Sequence, residues 1–431
     1  MLRTRLSLVC RLCFGAALLG VAFQSVSAQA TGSLLPVTRS DAEVLIRTLR
    51  DGHPKLKTIA MRARFDSAAS GLPDRIAALP RAQAIMEMAR LIAVLADGHT
   101  QLGLWWDASV GFARYPIRVY LFDDGIFVTQ SSAAARILLG KRVLRIGAVP
   151  IEEVVRRMRP YLHGDNDMTR RDIIETRLVL HEVLETVGAA ASGGTTFVVE
   201  DSAGHADSLS LSPHGAETPD TLINAQLPGV AVPLYLSHRE STYWFTTVPG
   251  TRTIYAQING MQNDSIFTFA AFCDSLFRTL ASTASERLIL DLRFNNGGDN
   301  TLDDQFVHRM IRATQIDRPE RFFVITGRNT FSAAVNLTAE LRRHSAAILA
   351  GEPTGAPANH FGETVRKILP DSKIMLLYST QYWQSGDPRD TSSAIVPTIA
   401  TPFRFSDYRF RRDPALAAIL ARPVPSGSRS R

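Results

Sequence analysis

Cysteine, lysine and long apolar runs are all scarce in this chain of 431 residues. It has three cysteines, and Cys10 and Cys13 both fall near the start, so Cys273 stands alone beyond residue 30. One cysteine cannot close an internal disulfide, so crosslinks do not hold this fold. Cys273 lies in an amphipathic pattern over 267–277, which reads as a helix burying its thiol rather than presenting a nucleophile. Lysine occurs only at Lys55, Lys57, Lys141, Lys367 and Lys373, which limits the bases that could activate a hydroxyl. No block of basic residues interleaved with aromatics occurs, so nucleic acid is not implied. The only long apolar run is N-terminal, which excludes a polytopic membrane protein. His163, Asp165, Asn166 and Asp167 cluster, but no His-Glu-x-x-His motif or cysteine pair accompanies them. They read as a polar loop, and no metal or other cofactor is expected. With 45% apolar and 21% charged residues, the chain has the composition of a globular protein that buries a core.

The N-terminal run has the form of a signal peptide. Arg3, Arg5 and Arg11 make a basic start, and 12–23 supply an apolar stretch interrupted by Gly15 and Gly20. Val26-Ser27-Ala28 or Ala28-Gln29-Ala30 offers small residues for cleavage. The run is short for a membrane span, so residues 1–30 are expected to be removed and the protein exported, periplasmic or secreted. The formal charge is +7. Those three arginines account for part of it, so the exported chain carries about +4.

Ser40 and Glu43 make a capping-box pattern, and apolar residues at helical spacing continue to Leu95. A helical domain is therefore expected over 31–110, ending in Ala96-Asp97-Gly98-His99-Thr100. The period then changes. Residues 117–122 alternate as a strand, Asp123-Asp124-Gly125 is a turn, and 126–129 return. A β-rich module is expected over 111–165, with a proline-started helix after Pro150. Next comes a segment, 166–239, with a helix over 169–187, strands near 195–200 and 208–211, and a linker over 213–230. From 240 to 410, strands and helices alternate as in an α/β layer with parallel crossovers. A C-terminal helix and a flexible tail complete 411–431.

Two loops follow buried strands of that last region, at the edge where open α/β sheets bind ligands. In Asp291-Leu292-Arg293-Phe294-Asn295-Asn296-Gly297-Gly298, paired glycines can turn backbone N–H groups toward an anion. Alone, they read equally as a tight turn. In Thr326-Gly327-Arg328-Asn329-Thr330-Phe331-Ser332-Ala333-Ala334, a hydroxyl stands where a helix should begin, near its positive end. Alone, Ser332 reads as an N-cap.

Together, Asp-Leu-Arg-x-Asn-x-Gly-Gly, Thr-x-Ser-Ala and Gly351-Glu352-Pro353-Thr354-Gly355 resemble the tail-specific, C-terminal-processing serine peptidase family. The resemblance implies an α/β fold with a crotonase-like (ClpP-like) core, here preceded by the helical domain and by a module similar to a PDZ domain. It implies Ser332 as nucleophile. It implies an oxyanion hole from the Ala333 amide and from Gly297 or Gly298. It departs at Pro357, where the Ser-Lys branch of the family carries its lysine.

A serine needs a base, and histidine is the natural substitute for lysine. Leu95-Ala96-Asp97-Gly98-His99-Thr100 resembles the segment that supplies a histidine base in the tricorn-like branch, which also includes the interphotoreceptor retinoid-binding protein. His360, near the place of the missing lysine, is the competing candidate. A third group should orient the base. Asp97, Glu363, Asp387 and Asp390 can serve, while His53 and His181 read as surface or packing residues. The expected activity is peptide-bond hydrolysis through an acyl-enzyme, on unfolded or C-terminal polypeptide segments. The alternative is an inactive relative that binds a peptide or an apolar ligand.

Overall fold

The computed structural model describes residues 34–215 and 221–424. The expected signal segment and the last residues of the tail lie outside these. No helix among the described residues is long and apolar enough to cross a membrane.

The N-terminal region is helical: α1 (Arg39–Gly52), α2 (Ile59–Ala69), α3 (Leu72–Ala78) and α4 (Arg81–Ala93). The capping box of α1 falls on Thr38 and Asp41, two residues before the expected pair, because the Thr38 side chain takes the orphan N–H groups of the first turn. After α4 the chain reverses through Ala96, whose φ is 46°. The turn 97–100 then leads into β1 (Gln101–Leu102).

Next come β2 (Ile117–Phe122), β3 (Gly125–Ser131), β4 (Arg142–Ile146), β5 (Val149–Pro150) and α5 (Ile151–Met158). The helix expected over 169–187 is two helices, α6 (Asp167–Arg177) and α7 (His181–Thr186). Between them the Val179 carbonyl accepts from the Tyr115 N–H at 2.9 Å, and this sideways pairing ends the helix. The strands β6 (Thr195–Glu200), β7 (Ala206–Leu211) and β8 (Ile223–Asn224) follow. They join β2–β5 in one sheet, whose main path is β2-β3-β4-β6-β7.

The last region holds α8 (Leu234–Ser237), β9 (Tyr243–Thr247), β10 (Thr253–Ile258), α9 (Phe269–Ser282), β11 (Arg287–Asp291), α10 (Asp303–Arg312), β12 (Phe322–Thr326), α11 (Ala333–His344) and β13 (Ile348–Gly351). It ends with β14 (Asn359–Ile368), β15 (Met375–Gln384), β16 (Ile399–Ala400), α12 (Phe405–Arg409) and α13 (Pro414–Leu420). Six strands form a sheet in the order β16-β13-β12-β11-β10-β9. Its neighbours are parallel except β9, which runs antiparallel to β10. Strands β10, β11 and β12 are buried at every position, as both faces are covered. On one face Ile254, Leu288, Leu290 and Val324 meet Phe272 of α9, Phe306 of α10 and Leu337 of α11. On the other, Tyr255, Ile289 and Phe323 meet Ala415 and Ile419 of α13. Each large apolar side chain buried this way contributes roughly 1.5–3 kcal/mol.

The long hairpin β14–β15 stands outside that sheet and pairs through β15 with β1. This pairing ties the N-terminal helical region to the hairpin, and the turn carrying His99 lies at the seam.

Candidate active site

The C-terminal ends of β11 and β12 lie side by side, Asp291 opposite Ile325. The loops that follow are sewn together. The Thr330 hydroxyl donates to the Leu292 carbonyl at 2.9 Å and accepts from the Gly327 N–H at 2.9 Å. The Phe331 N–H donates to the Asn295 carbonyl at 3.1 Å. The threonine of the Thr-x-Ser-Ala pattern is therefore the clasp between the glycine loop and the serine loop. A third hold comes from Arg328, whose guanidinium pairs with Glu175 of α6 at 2.7 Å and with Glu352 at 3.1 Å.

Ser332 sits at the N-cap of α11 and is half-buried, with φ 52° and ψ −128°. A residue with a side chain held there stores roughly 1–3 kcal/mol of strain. Its side chain makes no capping hydrogen bond, so Ser332 occupies the N-cap position without using its hydroxyl to cap the helix. Gly297 (φ 101°) presses directly against it. A Cβ at Gly297 would lie 2.6 Å from the Ser332 Cβ and 2.9 Å from the Ala333 nitrogen. Gly298 (φ 136°) leaves equally little room, against the Met261 carbonyl. Met261 and Gly298 pair as a parallel bridge. Among the described residues, neither the Ala333 N–H nor the Gly298 N–H has an acceptor. Unbonded amides beside a hydroxyl at a helix N-terminus suit an anion.

The imidazoles arrive from other parts of the chain. The His99 ring stacks on Phe331, with centroids 4.4 Å apart. The His360 ring, carried by β14, stacks parallel to His99 at 5.7 Å. Both rings are buried. Neither nitrogen of His99 makes a well-formed hydrogen bond, although the Phe361 backbone lies close enough to favour the protonated ring. The His360 Nδ1 lies 3.0 Å from the Pro357 carbonyl, which fixes that ring. Burial pushes the His99 pKa below its ordinary value, with the Asp97 charge pulling the other way. Burial, then the neighbouring His99, pushes His360 down to about 4. At neutral pH both rings are uncharged, as a proton acceptor must be.

Asp97 lies fully buried beside His99, Oδ1 to Nδ1 at 3.9 Å. Burial alone would raise its pKa, but a hydrogen bond from His53 and the charges of His99 and His53 hold it well below the usual carboxylate range. Its Oδ2 is 2.9 Å from the His53 Nε2 and accepts from the hydroxyls of Ser379 at 2.7 Å and Thr100 at 2.5 Å. Its Oδ1 accepts from the His99 N–H at 3.1 Å. Glu363 is exposed on β14 (φ 55°), away from this buried cluster. Asp387 pairs with Arg389, and Asp390 with Arg342.

His53 is wholly buried against Asp97, where the sequence suggested a surface or packing role. Ser379, from β15, was not singled out at all. No local pattern marks either, because each meets Asp97 only through tertiary pairing. Cys273 is buried on α9, and burial pushes its thiol up to about 12, which suits a packing residue.

Asp97, His99 and Asp165 bring one donor atom each within 4.8 Å of one another. Asp97 spends both oxygens on hydrogen-bond donors already. That set suits the holding of a proton better than a cation, which would compete for the same lone pairs.

No family model and no curated protein matches the sequence. Solved structures do match the backbone. A structure of mature CPAF complexed with lactacystin is 12% identical and matches with a TM-score of 0.59, over 88% of this chain and 96% of that one. A CPAF S499A mutant, also 12% identical, matches with a TM-score of 0.60 over 90% and 98%. The photosystem II D1 C-terminal processing protease aligns at 13% identity over 85% and 94%, with a TM-score of 0.40. The likeness is one of fold: over nearly its whole described length the chain shares the backbone architecture of CPAF.

Proposed function

We propose that this protein is an exported serine peptidase with a crotonase-like core and a PDZ-like module, acting on unfolded or C-terminal polypeptide segments. One observation carries the reading. Ser332 is held in a strained, uncapped conformation against Gly297, next to the Ala333 amide, which has no acceptor. Strain of this kind persists only where surrounding structure enforces it, and it clusters where chemistry is done.

In this reading His99 takes the proton of Ser332 as its oxygen attacks the scissile carbonyl. The amides of Ala333 and Gly298 receive the developing oxyanion, a contribution of about 3–4 kcal/mol to the barrier per donor. His99 then returns the proton to the leaving amine, and water resolves the acyl-enzyme by the same route in reverse. His99 is preferred to His360 because it stacks on the residue next to Ser332 and borders Asp97. His360 is tied to the Pro357 carbonyl. Substrate would enter extended, as an added strand. A groove of about 480 Å³ between Ile126 and Val143 of the β-rich sheet and Val155 of α5 offers a second hold on the peptide.

The test is labelling of the mature protein by a fluorophosphonate, alongside cleavage of unfolded casein. Both should occur in wild type and vanish in Ser332→Ala. Labelling that persists in Ser332→Ala would overturn the reading. No cleavage, together with saturable binding of an apolar ligand, would favour the binding-protein alternative.

A further inference from the structure

The cluster His163-Asp165-Asn166-Asp167 reads in sequence as a polar loop, and the peptidase reading makes no use of it. In space it approaches the proposed base, with a carboxylate oxygen of Asp165 within 4.8 Å of a ring nitrogen of His99. Asp165 lies between Leu162 and the start of α6, and its Oδ2 accepts from the Gly98 N–H at 3.0 Å. Gly98 permits this approach, since a Cβ there would lie 2.5 Å from that oxygen and 2.7 Å from the Phe331 ring. Asn166 anchors the loop to the α/β core, its amide donating to the carbonyls of Thr354 at 3.0 Å and Ser393 at 2.7 Å. Asp165 is thus held rigidly against the turn that carries His99.

The two carboxylates beside His99 differ in what they have left to give. Asp97 already receives His53, Thr100, Ser379 and the His99 amide. The Gly98 amide occupies Oδ2 of Asp165, and its other oxygen remains to accept from a ring N–H.

We propose that Asp165 is the positioning residue of the base, accepting from the His99 ring when the imidazole is protonated, while Asp97 holds the turn. Its role in turnover rests on the peptidase reading; its pairing with His99 does not. The groups facing Asp165 are Asp97 of the turn, Lys55 of the 54–57 segment and Arg170 of α6, with His99 within 4.8 Å. Burial, then the Asp97 charge, raises the Asp165 pKa, and the Gly98 N–H, Lys55 and Arg170 lower it less. As pH falls Asp165 therefore takes up its proton before His99 does, and it is the carboxylate form, present toward alkaline pH, that can accept from the protonated ring.

Asp165→Asn tests this, because its amide oxygen keeps the Gly98 hydrogen bond. Nuclear magnetic resonance of isotope-labelled histidine reads the His99 ring, assigned with His99→Gln. Wild type should show proton uptake sensed by His99 on the alkaline side of neutrality. In Asp165→Asn that step should vanish, leaving protonation only below the ordinary histidine range. Peptide hydrolysis should lose about tenfold in kcat with KM unchanged, and lose its rise from neutral to alkaline pH. An unchanged His99 titration overturns the proposal. So does calorimetric binding of Zn²⁺ or Mn²⁺ to wild type that Asp165→Asn abolishes, which would make the cluster a cation site. If the titration shifts as expected but Ser332 takes no fluorophosphonate, the peptidase reading fails and the pairing stands.

Discussion

The ring of His99 lies flat against that of Phe331, 4.4 Å between centroids. An N-terminal imidazole is thereby packed on the residue that precedes Ser332, and the stack sets where the base can reach.

Removing the proposed base should cost rate rather than fold. His99→Ala should lower kcat on a peptide substrate by about 10²–10⁴-fold with native circular dichroism. His360→Ala should lower it less than tenfold. The reverse order of losses would transfer the base role to His360.

Gly297→Ala addresses the close approach to Ser332. The new methyl would meet the Ser332 Cβ at 2.6 Å and the Ala333 nitrogen at 2.9 Å, at a φ of 101°. The serine or its amide must move, so kcat should fall at least about 10²-fold and fluorophosphonate labelling should slow in parallel. Labelling at the wild-type rate would show that the glycine is only a turn residue.

Thr330→Val keeps shape and removes the hydroxyl that joins the Leu292 carbonyl to the Gly327 N–H. The buried Gly327 N–H loses its partner and the Leu292 carbonyl keeps only the Asn295 N–H, so unfolding in urea should show a loss of about 1–3 kcal/mol. Activity should fall further than stability predicts, because the two loops lose their register. A variant as stable and active as wild type would remove the clasp from the account.

Acid should destabilise the protein through its buried histidines. Burial, then the Arg177 charge, pushes His163 down to about 3, and His360 lies at about 4. The unfolded chain binds their protons near pH 6.5 and the folded one only well below it. Their contribution is therefore complete above 6.5 and is lost as pH falls toward 3–4, by roughly 3 kcal/mol or more each. Urea unfolding from pH 7 to 4 should show the decline, with a shallower slope in His360→Gln and in His163→Gln. Parallel curves for variants and wild type would place the loss elsewhere.

The sequence was most legible where its signals are local. The apolar runs at 288–292 and 322–325 read as buried strands because every position is covered. Ser332 and Gly297 stood out because both strands end in loops at the same sheet edge. The first strand of the hairpin β14–β15 carries no such signal. Six successive residues of β14 from Glu363 to Ile368 are exposed, so no alternation marks them. His53, Ser379 and Asp165 were illegible for a different reason. Each matters through a partner brought near by folding, such as Ser379 to Asp97 across 282 positions. Spacing along a chain carries no trace of such encounters.

The seam between β1 and β15 has a consequence for when this molecule becomes competent. Ser332 belongs to the α/β layer, whose helices and strands adjoin in sequence, whereas His99 is more than two hundred residues upstream. Contacts so far apart close late in folding. The hydroxyl and its amide cradle would thus exist before any imidazole reaches them. On the peptidase reading, a newly made chain would stay inert toward its neighbours until its first helices dock.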